Sequence, residues 1–253
     1  MSDEKGPNLR LPAIAVLGPW RGGTSLVTGI LQALGVDVGG PFFVGHTGYP
    51  TYEDLELRRR SLQCFGENQQ DWGPRGTRRR RVELLAERIR GLRQTADTVR
   101  MPGGVRRVAV GGKHPVLCGL VDEIAEAWAP PGATGSDVRG VRFVSVHRPV
   151  EAVHESWGRP EKSGGPAWWP RSDQREAVAD LIRRRDESLQ NFPHTIVDFD
   201  QLRRDPADVI HRLAADCDLP DHRVAAAIER VLPPKNVQDR QAGRGRTPGG
   251  FEP

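Results

Sequence analysis

The stretch Gly18-Pro-Trp-Arg-Gly-Gly-Thr-Ser25 is the strongest indication of the fold, because it lies between an apolar run at 11–17 and a helical run at 26–34. A strand, a glycine-rich turn and a helix N-terminus in this order direct backbone N–H groups toward a common point. The helix dipole favours negative charge at the same point. The segment therefore predicts a binding site for a phosphate-type anion.

The residue after Gly23 argues against a nucleoside triphosphate as the ligand. The spacing from Gly18 to Gly23 matches the ATP-type P-loop, in which the next residue is a lysine that reaches the β- and γ-phosphates. Here that residue is Thr24, and the cation lies inside the loop at Arg21. The ligand is therefore predicted to be a phosphate-type anion other than a triphosphate.

The later predicted strands also lack the chemistry of a Mg²⁺-dependent enzyme. Such enzymes hold the metal partly through an acidic residue at the end of a later strand. The strand predicted at 106–111 instead runs into Lys113-His114-Pro115, and the one at 141–146 runs into His147-Arg148-Pro149. Basic residues at these places suit a nucleotide that carries a second, separate phosphate, and no metal site is predicted.

Four motifs in order resemble those of sulfotransferases that use 3′-phosphoadenosine 5′-phosphosulfate (PAPS), over residues 12–215. The loop at 21–25 resembles their 5′-phosphosulfate loop, and the stretch from 141 to Ser156 is similar to their 3′-phosphate motif. The stretch 48–54 is similar to a Gly-aromatic-Glu-Asp segment of bacterial members. The stretch 196–206 resembles a later strand and turn, with Phe199 where many members have Tyr.

This resemblance implies roles for individual residues in cofactor binding. Arg21 would neutralise the charge that develops on the leaving 5′-phosphate, while Gly22, Gly23, Thr24 and Ser25 would donate backbone or hydroxyl hydrogen bonds. Arg148 and Ser156 would hold the 3′-phosphate, for which a guanidinium fork is well suited. The implied donor is PAPS, and the implied acceptor is a hydroxyl of a small molecule.

The resemblance leaves the catalytic base open between two residues. His114 is the first candidate, because it follows its strand as the catalytic histidine of cytosolic members does, and a histidine titrates near neutral pH. Glu53 is the second, since some bacterial members use a glutamate from the same segment, and His46 is a distant third. Lys113 either touches the transferring sulfuryl oxygens or faces solvent.

Alternating strands and helices predict an α/β fold with a mostly parallel central sheet flanked by helices, organised as a single sulfotransferase-like domain over 1–253. Helices are predicted at 24–35, 54–65, 77–98, 116–128, 149–157, 173–190, 206–216 and 221–232, and strands at 12–17, 106–111, 141–146 and 194–199. The long connection 36–54 is expected to face the substrate. The loop 158–171 is predicted to act as a lid or a hydrophobic plug, and the Gly- and Arg-rich segment 235–253 to be a flexible tail that reaches the 3′-phosphate.

Composition and charge limit the cellular compartment and the kinds of ligand that we expect for this protein. The net charge of +4 fits an anionic cofactor, and no nucleic-acid-binding motif accompanies it. There is no long apolar run and no signal-peptide core, and the cysteines Cys64, Cys118 and Cys217 form no metal motif. We expect a cytoplasmic protein, of a bacterial type by its Arg-, Ala- and Gly-rich composition.

Two alternative functions stay open: a small-molecule P-loop kinase, and a non-catalytic nucleotide- or polyanion-binding protein.

Overall fold

A computed structural model describes residues 11–44, 50–95, 106–131, 140–157 and 171–231 of the chain. Its centre is a parallel five-stranded sheet in the order β2-β7-β1-β8-β9. The strands are β1 Ala13–Leu17, β2 Val36–Asp37, β7 Ala109–Lys113, β8 Val141–His147 and β9 His194–Asp198. Short antiparallel pairs are formed by β3 Phe42–Val44 with β4 Pro50–Asp54 and by β5 Phe65–Gly66 with β6 Gly73–Pro74.

Helices cover both faces of this sheet, so the predicted α/β class is confirmed. They are α1 Thr24–Ala33, α2 Leu55–Cys64, α3 Arg78–Gln94, α4 Val121–Ala127, α5 Val150–Trp157, α6 Arg171–Leu189, α7 Phe199–Arg204, α8 Pro206–Asp216 and α9 Val224–Val231. One apolar core joins the sheet to α2, α3, α4 and α6, and a second core joins it to α1, α7, α8 and α9.

The topology brings three loops together at one edge of the sheet. Strand β1 lies between β7 and β8, and all three run parallel, so their carboxyl ends meet. The chain turns to one side of β1 to form β7 and crosses to the other side to form β8. Open parallel sheets bind ligands at such a reversal of strand order. The loops after Leu17, Lys113 and His147 therefore define the candidate site.

The predicted strand 106–111 is displaced toward the carboxyl end, because β7 spans Ala109–Lys113. The pair Gly111-Gly112 suggests a strand end by sequence, but the strand passes through it. A Cβ on Gly111 would lie 2.2 Å from the Ile14 carbonyl oxygen, so a glycine permits β1 to approach closely. As a result, Lys113 belongs to the strand and pairs with Val16 in the register.

The structure differs from the other sequence predictions as well. The connection 36–54 contains β2 and the β3–β4 hairpin, and α7, which the sequence does not predict, follows β9 directly. The helices predicted at 116–128 and 221–232 each begin as a turn of 3₁₀-helix, at Pro115–Gly119 and Asp221–Arg223. The remaining predicted helices and strands agree with the structure to within a few residues. His46, the loop 158–170 and the tail 235–253 lie outside the described residues.

The basic run Arg78–Arg81 lies in the first turn of α3. Arg78, Arg79 and Arg80 are exposed and face Glu126 or Glu83, but Arg81 is largely buried against Glu123, with a nitrogen–oxygen distance of 2.6 Å. The run therefore has a solvated face formed by its first three arginines, whereas Arg81 packs against Glu123. In the described part of the chain, no helix is long and apolar enough to cross a membrane.

Candidate phosphate-binding and catalytic site

The loop after β1 is held in the conformation of an anion cradle. The Gly22 amide donates to the Pro19 carbonyl oxygen at 3.0 Å, and α1 begins at Thr24. Two residues adopt the left-handed region, Gly23 with φ of 95° and Arg21 with φ of 60°. A left-handed arginine is uncommon and is found mainly where the surroundings impose it. The sequence prediction of a glycine-rich turn at a helix N-terminus is confirmed.

An aromatic ring from α7 closes one side of the loop. The Phe199 ring lies so near Gly23 that a Cβ there would come within 2.1 Å of it. The Arg148 guanidinium carbon lies 5.0 Å from the centre of the same ring, which is the geometry of a cation–π contact. Phe199 thus fixes the orientation of Arg148 against the loop. From the sequence alone, Phe199 stands out only because many sulfotransferases of the resembled family have Tyr at this position.

The two predicted phosphate motifs meet in space. Arg148 Nη1 donates to the Arg21 carbonyl oxygen at 2.7 Å, and Arg21 Nε donates to Ser156 Oγ at 3.3 Å. The Nε of Arg148 is buried and has no hydrogen-bond partner among the described residues. A buried donor without a partner carries a free-energy cost that a bound anion would remove. The structure therefore brings Arg21, Arg148 and Ser156 together around an unsatisfied donor.

Lys113 forms a bridge across the floor of the site. Its ammonium donates to Ser25 Oγ and to Glu53 Oε1, at 3.0 Å each, and the residue is only 3% exposed. The alternative in which Lys113 faces solvent is therefore wrong. Burial tends to raise the pKa of Glu53, but the Lys113 ammonium and the other nearby cations outweigh it, and the pKa lies below its usual value. Glu53 is thus an ionised carboxylate.

Glu53 and its neighbour Asp54 contact different partners. The side chain of Asp54 caps α2 by accepting from the Leu57 amide at 2.7 Å, and it forms a two-fold ion pair with Arg88. Glu53 points the other way, toward Lys113. Asp54 is therefore the charge at the N-terminus of α2, and it fixes the backbone from which Glu53 extends.

His114 is buried beside this group, at 2% exposure. Burial lowers its pKa to about 4, against an opposing effect of the Glu53 carboxylate, and the charges of Arg58 and Lys113 lower it further. The imidazole is therefore neutral at pH 7. Its Nδ1 has no hydrogen-bond partner among the described residues. His114 thus offers a neutral ring close to Glu53, Lys113 and Arg58.

Arg185, on α6, contacts the end of β8, and no pattern in the sequence points to it. Arg185 is 2% exposed, donates to the Val146 carbonyl oxygen at 2.9 Å and lies 3.3 Å from His147 Nε2. His147 also contacts Ser145 Oγ at 3.0 Å, so it packs beside the site. Arg185 holds the strand end from which Arg148 projects. Only the three-dimensional structure reveals this role of Arg185, because α6 is distant from β8 in the sequence.

The low pKa of His114 predicts a pH-dependent stability. Between its pKa of about 4 in the folded protein and the ordinary value of 6.5, the unfolded chain binds a proton that the folded chain does not. Stability therefore falls as the pH drops through this window. The shift corresponds to about 3 kcal/mol. In denaturant unfolding at pH 7 and pH 4, His114→Gln should lose less stability than the wild type by roughly that amount. Equal losses would contradict a buried neutral His114.

The fold matches that of a solved sulfotransferase domain. The structure is similar to the sulfotransferase domain of the Synechococcus PCC 7002 olefin synthase, with a TM-score of 0.52 and 15% identity over 94% of this chain and 85% of that one. It also aligns with sulfotransferase STF1 from Mycobacterium tuberculosis H37Rv, with a TM-score of 0.47 and 13% identity over 86% of this chain and 70% of that one. The first similarity shows that the chain has a sulfotransferase-like fold.

The sequence comparisons found no match. No family model matches the sequence, and no curated protein matches it significantly. The described residues also contain no cluster of His, Cys, Asp and Glu that could hold a metal ion. The chemistry of the site must therefore be argued from its own residues.

Proposed function

We propose that this protein is a PAPS-dependent sulfotransferase that moves a sulfuryl group to a hydroxyl of a small-molecule acceptor. The observation that carries the proposal is the convergence of Arg21, Arg148 and Ser156 at the phosphate loop, with Lys113, His114 and Glu53 directly beside it. Arg21, Arg148 and Ser156 offer hydrogen-bond donors to anions. Beside them, Lys113 is a buried cation, and His114 and Glu53 are candidate bases within reach of the same loop.

The residues present fit a nucleotide with two separate phosphates. Gly22, Gly23 and Thr24 lie at the start of α1, where the helix dipole favours an anion, and Ser25 adds a hydroxyl. Arg148 has a buried Nε without a partner, and its guanidinium is oriented by Phe199. We infer that the loop and Arg21 hold the 5′-phosphate side, and that Arg148 and Ser156 hold the 3′-phosphate. When bound, PAPS supplies a sulfuryl group on a phosphate leaving group.

Electrostatic stabilisation by preorganised groups is the main means of catalysis that this site offers. Transfer of such a group spreads negative charge over peripheral oxygens, and fixed donors in a water-poor site stabilise that charge strongly. Lys113 is buried, and its position is fixed by both Ser25 and Glu53. We assign Lys113 and Arg21 to this stabilisation. Glu53 keeps Lys113 in place and compensates for its charge in the resting site.

We assign the base to His114 and keep Glu53 as the alternative. His114 is neutral and has a ring nitrogen without a partner, so it can accept the proton of an acceptor hydroxyl. The Glu53 carboxylate lies nearby and favours the imidazolium that results. Glu53 is bound by Lys113 through Oε1, and despite its burial Lys113 and other cations hold its pKa below the usual value, so its carboxylate is a weaker base than that of a free glutamate. A base is typically worth about 10²–10⁴ in rate.

The two alternatives have less support. A P-loop kinase would use a lysine where Thr24 stands and an acidic Mg²⁺ ligand. Among the described residues, the lysine at the loop is instead Lys113, which comes from β7 and binds Ser25, the neighbour of Thr24. Its position therefore differs from that of the P-loop lysine of a kinase. A non-catalytic binding protein would not need a buried Lys113–Glu53 pair beside a buried histidine, since such groups are costly to bury.

The proposal is tested by incubating the protein with PAPS and a mixture of hydroxyl compounds. We expect conversion of PAPS to 3′,5′-adenosine bisphosphate that depends on the mixture, together with sulfated products detected by mass spectrometry. Substitution of Lys113 should abolish both signals. Acceptor-dependent transfer of a phosphoryl group from ATP would favour the kinase alternative instead.

A prediction on binding follows from Arg148. Arg148→Ala removes the charge-assisted donor with the unsatisfied Nε, so affinity for 3′,5′-adenosine bisphosphate should fall by about 1.5–3 kcal/mol. The change corresponds to roughly 10- to 150-fold in the dissociation constant measured by calorimetry. Arg142→Ala is the matched control, because Arg142 lies on β8, the strand that precedes Arg148, and is paired with Asp218; it should bind normally. Unchanged affinity in Arg148→Ala would remove this residue from the phosphate site.

A further inference from the structure

Helix α2 carries three consecutive arginines, and the first of them is held differently from the other two. Arg59 and Arg60 bind Glu56 at 2.7 Å each, and Arg60 also pairs with Glu87. Arg58 lies 3.9 Å from its nearest carboxylate oxygens, on Glu53 and Glu67. Among the residues that the structure describes, its guanidinium makes no hydrogen bond. Arg58 therefore keeps its fork of N–H donors available.

The two carboxylates near Arg58 do not occupy this fork. Glu53 is already bound by Lys113 through Oε1 at 3.0 Å. Burial raises the pKa of Glu67, and the Glu53 charge raises it further, against the effect of Arg58. At 3.9 Å, Glu67 lies beyond hydrogen-bond distance of the Arg58 guanidinium. Neither carboxylate therefore takes up the N–H donors of Arg58, and its side chain is 30% exposed.

An aromatic ring fixes the plane of this guanidinium. The Arg58 Cζ lies 4.7 Å from the centre of the Phe43 ring, on the β3–β4 hairpin. Phe43 itself is 37% exposed. A cation ordered on an aromatic face loses less conformational freedom when it binds a ligand. The pair combines a preorganised anion binder with an exposed apolar face.

Arg58 is also close to the reacting groups. Its Nε faces Glu53 Oε2, while the other oxygen of the same carboxylate holds Lys113. Its charge acts on His114 as well, whose pKa it helps to lower. A molecule bound at Arg58 would thus have its remaining atoms near the proposed base. Arg59, one residue further along α2, is exposed and paired with Glu56.

We infer that Arg58 and Phe43 form an acceptor subsite, which selects hydroxyl compounds that also carry a carboxylate. This inference rests on the proposed function, and it names the substrate class of the same site. The carboxylate would form a two-pronged pair with the guanidinium, and the apolar part of the acceptor would lie against Phe43. The hydroxyl would then point toward His114.

The test uses three phenols of similar size that differ in charge. The probes are para-hydroxybenzoate, para-hydroxybenzamide and para-hydroxybenzylamine, titrated by calorimetry at pH 7.5 into protein saturated with 3′,5′-adenosine bisphosphate. We expect the carboxylate to bind about tenfold tighter than the amide, and the amine to bind weakest. Arg58→Gln should abolish the difference between carboxylate and amide, while Arg59→Gln, a matched loss of charge on the same helix, should retain it.

Several outcomes would overturn the inference. These are equal binding of the carboxylate and the amide, tighter binding of the amine, no measurable binding of the carboxylate, or a carboxylate preference that survives Arg58→Gln. Binding of the bisphosphate is measured separately in the same samples. If the bisphosphate does not bind, the proposed function fails, and the same three probes still test Arg58 on the unliganded protein.

Discussion

Replacement of His114 by alanine should lower turnover by about 10²–10⁴ and leave affinity for 3′,5′-adenosine bisphosphate nearly unchanged. The reason is that His114 lies beside Lys113 and Glu53 and contacts none of the phosphate-binding groups that we assign. Steady-state rates with PAPS and calorimetry with the bisphosphate measure the two quantities independently. A matched loss of both rate and affinity would mean that the substitution disturbs the loop.

The companion variant Glu53→Gln decides between the two candidate bases. It retains the size of the side chain and a hydrogen bond to Lys113, but it removes the negative charge. With His114 as the base, this variant should lose some rate, because the carboxylate that favours the imidazolium is gone, but it should keep more activity than His114→Ala. If His114→Ala is fully active while Glu53→Gln is inactive, Glu53 is the base and His114 only lines the site.

Replacement of Lys113 by methionine should be the most disruptive change to both stability and rate. The variant leaves the Glu53 carboxylate buried without its closest partner, and breaking a buried pair in this way costs about 3–5 kcal/mol. Turnover should be lost as well, because the buried cation beside Ser25 disappears. Urea unfolding and the PAPS assay measure the two effects.

The double variant Lys113→Met/Glu53→Gln separates these effects. Removing both charges relieves the unpaired carboxylate, so stability should recover substantially relative to Lys113→Met alone. Turnover should not recover, because the cation is still missing. Recovery of turnover would show that Lys113 serves only to neutralise Glu53. Failure of stability to recover would show that the two side chains are not energetically coupled in solution.

Local patterns in the sequence were sufficient to predict the phosphate loop and most of the elements around it. The apolar run, the glycine pair and the helical run are contiguous, so β1, the loop and α1 follow from neighbouring residues. The motif at Arg148 lies at the end of an equally clear strand. The parallel sheet with helices on both faces then follows from the alternation of elements.

Other features depend on contacts between distant segments, and the sequence did not reveal them. Gly111 permits the close approach of β1, and no local pattern distinguishes such a glycine from one in a turn. The sequence therefore predicts this strand at 106–111, whereas it spans Ala109–Lys113 in the structure. The stacking of Phe199 on Arg148 and against Gly23 joins three separate parts of the chain. Pairing partners also decide which arginines are exposed, as Arg58 and Arg59 illustrate.

Calorimetric comparison of 3′,5′-adenosine bisphosphate with ATP, each with and without Mg²⁺, distinguishes a site for two separate phosphates from a triphosphate site. The loop has Thr24 in place of the P-loop lysine, and Arg148 adds a second anion-binding group with a buried Nε that lacks a partner among the described residues. We expect the bisphosphate to bind much more tightly than ATP, and its binding not to require Mg²⁺. Equal or tighter binding of ATP that depends on Mg²⁺ would exclude the proposed sulfotransferase function.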